Sequence, residues 1–169
     1  MKLHPQAQAM AAEMTAWRRQ LHTHPELGFE EQQTAAFVAD RLREAGLTPV
    51  EGLAGTGLVA TLRGRLGDGP ALGLRAELDA LPIAEATALP HRSCHAGRMH
   101  ACGHDGHMVM LLGAARVLAA DPTFAGTVHF IFQPAEEGLG GARAMLAEGL
   151  FARFPCDEIY ALHNCARPL

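Results

Sequence analysis

Short apolar runs of strand length alternate with longer segments of helical period along this sequence, and that alternation restricts the chain to an α/β layered arrangement. From Gln6 to His22, Met10, Met14, Trp17 and Leu21 recur at three- and four-residue steps, the period of an amphipathic helix. Glu30 to Ala45 repeats the pattern and stops at Gly46, just before Pro49. Thr56–Leu62 (TGLVATL) and Ala71–Leu78 (ALGLRAEL) read as strands flanking the turn-forming GRLGDGP, and are expected to form a hairpin or two adjacent strands. Asp105–Ala120 is expected to be a helix with Asp105 capping its first turn. Thr127–Phe132 is a β-branched and aromatic strand, Ala142–Glu148 a helix, and Glu158–Leu162 a last short strand.

A chain of 169 residues can bury a real core without disulfides or metal as obligatory staples. With 49% apolar and 19% charged residues, it has the balance of a soluble globular domain. Fourteen Lys and Arg against eighteen Asp and Glu, with no basic run, argue against nucleic acid as a partner. The N-terminus MKLHPQAQAM lacks the apolar core of a signal peptide, and no apolar stretch reaches membrane-spanning length. A cytoplasmic protein without a membrane partner is therefore expected, with Cys94, Cys102, Cys156 and Cys165 read as ligands or small apolar residues rather than disulfides.

The histidines demand a reason: five of the ten fall between His91 and His107. In MHACGHDGH, Cys102 and His104 sit two positions apart just before a helix, a pairing that suits a borderline-soft metal. Taken singly, each would read as a small buried residue and a surface imidazole; the clustering favours ligands. Glu136 and Glu137 lie between a strand and a helix, flanked by the turn-forming QP and GLGG. One carboxylate can bind metal while the other takes a proton from attacking water, although a solvated acidic pair or helix N-terminal charges would give the same residues. Asp79, after a strand, could accept the outer N–H of a liganding imidazole or simply form a turn. His163, beside Asn164 at a strand end, reads as a ligand. His100 and His107 are candidates for a supporting role, His129 reads as a satisfied core histidine, and His22, His24, His91 and His95 carry no assignment.

The segments WRRQLHTHPELGFEE, RAELDALPI, MHACGHDGH, FQPAEEGLGGARAML and YALHN, in that order, resemble the amidohydrolase branch of the aminoacylase and carboxypeptidase metallopeptidases. That branch includes hippurate hydrolases, N-acetyl-diaminopimelate deacetylases and indole-acetyl-amino acid hydrolases. The resemblance implies a three-layer αβα zinc-peptidase-like catalytic domain with a mixed sheet. It implies metal-dependent hydrolysis of the amide bond of N-acyl amino acids, with two divalent ions (Zn, Mn, Co or Ni). Cys102 would bridge the ions, His104 and His163 would complete one site, Glu137 would bind the other, Glu136 would be the general base, and Asp79 would orient the cluster. Residues 1–169 would form the N-terminal part of the catalytic domain. The lid or dimerisation domain, which would make the full-length form a homodimer, and the C-terminal part carrying a last metal-binding histidine would be absent. The ending at ARPL without a closing helix leads to the same expectation. The alternatives are a catalytically incomplete metal-binding fragment and, more distantly, a redox or zinc-storage role, for which no CxxC pair is present.

Overall fold

The computed structural model of the chain describes residues 4–164. Five strands, β1 (Pro49–Leu53), β2 (Gly57–Arg63), β3 (Ala71–Glu77), β4 (Thr127–Gln133) and β5 (Glu158–Ala161), form one sheet in the order β1-β2-β4-β3-β5. The sheet is mixed: β1, β2 and β4 pair antiparallel, whereas β4, β3 and β5 run parallel. Helices α1 (Pro5–Ala9), α2 (Ala11–Thr23), α3 (Gln32–Glu44) and α4 (His104–Ala120) pack on one face, and α5 (Gly141–Ala147) and α6 (Leu150–Arg153) on the other. The expected three layers are present. Among the described residues, no helix is long and apolar enough to cross a membrane.

Each layer follows from where the apolar residues fall. Trp17 and Leu21 of α2, Val38 and Leu42 of α3, and Met108 and Leu112 of α4 close over Leu58, Phe130 and Phe132 of the sheet. Met145, Leu150 and Phe154 close over Val59 and Ile131 on the opposite side. β4 is therefore covered on both faces, which is why TVHFIFQ shows a continuous apolar run rather than an alternation. His129 lies buried within it, its Nδ1 2.8 Å from Thr61 Oγ1, as expected of a satisfied core histidine.

Four sequence expectations change. First, β2 and β3 are not adjacent, because β4 lies between them. Parallel strands need a long crossover, and α4 supplies it between β3 and β4. The residues between β2 and β3 instead lie across the start of β4, with Gly64 N–H donating to Gly126 O and Gly126 N–H to Gly67 O, each at 2.9 Å. Second, β1 was not anticipated: it begins at Pro49, contains Gly52, and carries a register shift between Glu51 and Leu53, so no alternation survives. Third, the first helix is two, divided at Met10, and α6 is an additional turn. Fourth, Asp105 is not the cap of α4. Left-handed Gly103 (φ 87°) holds that position, and Asp105 stands in the first turn, where its Oδ1 accepts the Gly106 N–H. α3 also starts without a capping side chain of its own; Glu26 accepts the Gln33 and Thr34 N–H groups at 3.2 and 2.7 Å.

Candidate metal centre

Because β3, β4 and β5 run parallel, the loops leaving their C-terminal ends converge. Asp79 follows β3, Glu136 and Glu137 follow β4, and His163 follows β5, while Cys102 and His104 arrive at the start of α4. All six predicted site residues meet here.

His104 is fully buried, and its tautomer is set by geometry. Its Nδ1 lies 2.8 Å from the backbone carbonyl of Asp79, which can only accept, so Nδ1 carries the proton; Asp79 Oδ1 lies farther off, at 3.2 Å. In the neutral ring Nε2 is then left with a bare lone pair. It is buried, has no hydrogen-bond partner, and stands 3.9 Å from both Glu136 Oε2 and Glu137 Oε1. Glu137 Oε1 is likewise buried and unpartnered. Two such atoms facing each other are costly unless something electropositive lies between them.

The glutamate loop is held from below. Glu31, fully buried, accepts the Ala135 N–H at 2.8 Å and the Thr56 hydroxyl at 2.6 Å, and Asp79 Oδ2 accepts the Glu137 N–H at 2.9 Å. Ala135 has φ of 49°, a conformation an alanine keeps only when its surroundings impose it. Burial raises the Glu31 carboxyl above its ordinary range, against the hydrogen bonds from Thr56 and Ala135. Burial also opposes ionisation of Asp79, but the His104 contact and the Glu137 and Glu136 N–H groups outweigh it and leave that carboxyl lowered.

Cys102 Sγ lies 3.6 Å from His163 Nε2. Cys102, His104 and Glu137 each offer a ligand atom, all within 4.8 Å of one another. Burial, then the carboxylates of Glu137, Glu136 and Glu77, push the Cys102 thiol up to about 11. A divalent cation would reverse that balance, since it stabilises the thiolate and is attracted by the same carboxylates. The donor set of thiolate, imidazole and carboxylate, together with the two orphaned atoms, fits a divalent metal ion.

Some supporting residues were not anticipated. Glu31 lies in HPELGFEE and Glu77 in RAEL; a carboxylate ending a strand whose only other charged residue is Arg75 was the available signal for Glu77. His22, left without assignment, is buried 2.8 Å from Asp105 Oδ2 and 3.3 Å from Glu85 Oε1, tying α2 to the start of α4. Of the two supporting candidates, His107 contacts Glu77, whereas His100 is buried with both ring nitrogens unpartnered, and burial pushes it down to about 4. Cys94, Cys102 and Cys156 are free thiols; Cys165 lies outside the described residues.

Residues 73–169 match the model of peptidase family M20/M25/M40, more than half of the chain. The chain is 46% identical to a Campylobacter jejuni hippurate hydrolase over 97% of its own length and 42% of that protein's. It is 45% identical to an N-acetyldiaminopimelate deacetylase of Oceanobacillus iheyensis, covering 91% of this chain and 41% of the relative. Among solved structures, a Bacillus subtilis dinuclear metal binding peptidase from the M20 family superposes with a TM-score of 0.87 at 41% identity, over 94% of this chain and 44% of that one. The chain thus spans about two fifths of the length of the curated relatives it matches.

Proposed function

Given that this chain belongs to peptidase family M20/M25/M40, we propose that it carries most of the metal-holding site of an amidohydrolase acting on N-acyl amino acids. The observation that carries the reading is the bare, buried Nε2 of His104 beside Cys102 and the orphaned Glu137 Oε1. Cys102, His104, Glu137 and His163 would hold two divalent ions of the Zn, Mn, Co or Ni type. Bound there, the ions would supply Lewis acidity, polarising an amide carbonyl and making water a better nucleophile near neutral pH.

The remaining work belongs to the chain's own residues. Glu136, whose side chain is 39% exposed, faces the site from the same loop as Glu137 and is free to accept a proton. As water oxygen bonds to the amide carbon, Glu136 takes the water proton. It then returns that proton to the amide nitrogen as the C–N bond breaks, releasing a carboxylic acid and an amino acid. Asp79 acts through others: its carbonyl holds the His104 tautomer, and its carboxylate holds the Glu137 backbone. A small-molecule N-acyl amino acid substrate and a cytoplasmic setting belong to the same proposal. A homodimer is the form proposed for the longer protein.

A second reading, that the 169-residue chain binds metal without turning over substrate, is favoured by its coverage of only 42% of the hippurate hydrolase. Metal content of the purified chain, measured by mass spectrometry beside Cys102→Ala and combined with a hippurate and N-acetyl-amino acid hydrolysis assay, separates the two. Metal that depends on Cys102 with turnover supports the hydrolase. Metal that depends on Cys102 without turnover supports the incomplete site, and metal indifferent to Cys102 overturns both.

A further inference from the structure

Glu77, His104, His107 and His163 also bring ligand-type atoms within 4.8 Å of one another, which by residue type alone would make His107 and Glu77 metal ligands. The hydrogen bonds of His107 argue otherwise. The backbone N–H of Asn164 can only donate, and it lies 2.9 Å from His107 Nε2. That nitrogen therefore offers its lone pair and carries no proton. The ring proton then sits on Nδ1, which donates to Glu77 Oε2 at 2.8 Å. Both nitrogens are committed and the ring is buried, so no lone pair is left for a metal.

Glu77 is itself fixed. Its Oε1 accepts from Arg75 Nη1 at 2.7 Å, and Arg75 Nε donates to Gln133 Oε1 at 2.8 Å, so β3 and β4 both anchor the carboxylate. What the anchored imidazole grips is the residue after His163. β5 is exposed at all four positions and pairs only with β3 in the sheet, and His163 and Asn164 follow it. The His107 and His163 rings meet edge to face, with centroids 5.1 Å apart.

We propose that Glu77 and His107 are a positioning pair rather than ligands: Glu77 fixes the Nδ1–H tautomer of His107, whose bare Nε2 holds the Asn164 backbone and so aims His163 at Cys102. The proposal rests on the reading of His163 as a ligand and extends it to residues that touch no metal. Its mechanical content is that the exposed side of the site is tethered to α4 through one backbone hydrogen bond.

Two measurements on the full 169-residue chain test it. Long-range 1H–15N correlation of the histidine rings, with His107→Gln identifying the resonance, should show His107 in the Nδ1–H tautomer both without metal and with Zn2+. An Nε2–H ring, or a His107 nitrogen whose shift moves to that of a metal ligand when Zn2+ is added, would overturn the proposal. Titration with Co2+, followed by the thiolate-to-metal absorption, should show His107→Gln within about threefold of the parent, because the glutamine carbonyl can accept the Asn164 N–H while its amide donates to Glu77. His107→Leu, which can do neither, should bind about tenfold more weakly. Equal loss in both variants, with one ion fewer per chain, would make His107 a ligand and overturn the proposal. If the parent chain binds no Co2+, the metal-site reading fails, while the tautomer measurement still decides the pairing.

Discussion

The two sides of the metal centre are supported in opposite ways. On one side, His104, Glu136 and Glu137 rest on buried acceptors from two separate segments: the Asp79 carbonyl and carboxylate after β3, and Glu31 before α3. On the other, among the described residues, His163 follows an edge strand exposed at every residue, and the backbone beside it is tied to His107 by the Asn164 N–H bond. The difference shows where precision comes from. A candidate ligand built on the core inherits its position from several buried contacts, each costly to break, whereas one beside an exposed strand has fewer of them among the described residues.

The largest effect expected is chemical. Glu136→Gln should lower turnover of N-acyl amino acids by about 10²–10⁴-fold, in a form of the protein that shows activity, while leaving metal content unchanged. Full activity in that variant would remove Glu136 from the mechanism and the contrast with Glu137. On the buried side, Glu31→Leu strands the Ala135 N–H and the Thr56 hydroxyl inside the protein and should cost about 3 kcal/mol in urea unfolding. Glu31→Gln, which keeps an acceptor for Ala135, should recover most of it. If the two variants unfold alike, the loop is not held by that carboxylate.

His100 gives the same side a pH signature. Burial pushes its folded value down to about 4, below the ordinary histidine value of 6.5, so the unfolded chain takes up the proton first. Its contribution is complete above about pH 6.5 and is lost as pH falls toward 4, amounting to roughly 3 kcal/mol. Urea melts at several pH values should show this acid limb, and His100→Leu should flatten it; an unchanged limb would assign it to other groups. The smallest effect belongs to the open edge. Ile159→Thr on β5, where Ile159 is 48% exposed, should change stability by no more than about 0.5 kcal/mol. A loss of several kcal/mol would mean that this edge is packed in solution and that the contrast between the two sides is weaker than it looks.

Much of this molecule was legible before any coordinates. The 3.6-residue period of α3 and α4, the β-branched and aromatic run of β4 and the Gly46 stop are local properties, and each element formed within two residues of its expected limits. That Cys102, His104, Glu136, Glu137, His163 and Asp79 would come together was legible because these residue types stand beside turns and strand ends, which converge in such a sheet. β1 was not, because Pro49, Gly52 and a register shift erase the alternation that would announce a strand.

What the sequence by itself determined is therefore the kinds of element and the kinds of candidate ligand, since backbone period and side-chain chemistry are written within a few neighbouring positions. Tertiary structure alone decided the insertion of β4 between β2 and β3, the nitrogen that His104 turns toward the site, and whether His107 binds or merely orients. Each depends on a partner far along the chain: Asp79 lies 25 positions from His104, Glu31 lies 104 from Ala135, and His107 lies 57 from Asn164. A hydrogen bond is specified by where its two ends meet in space, and that meeting exists only once the sheet and helices have packed.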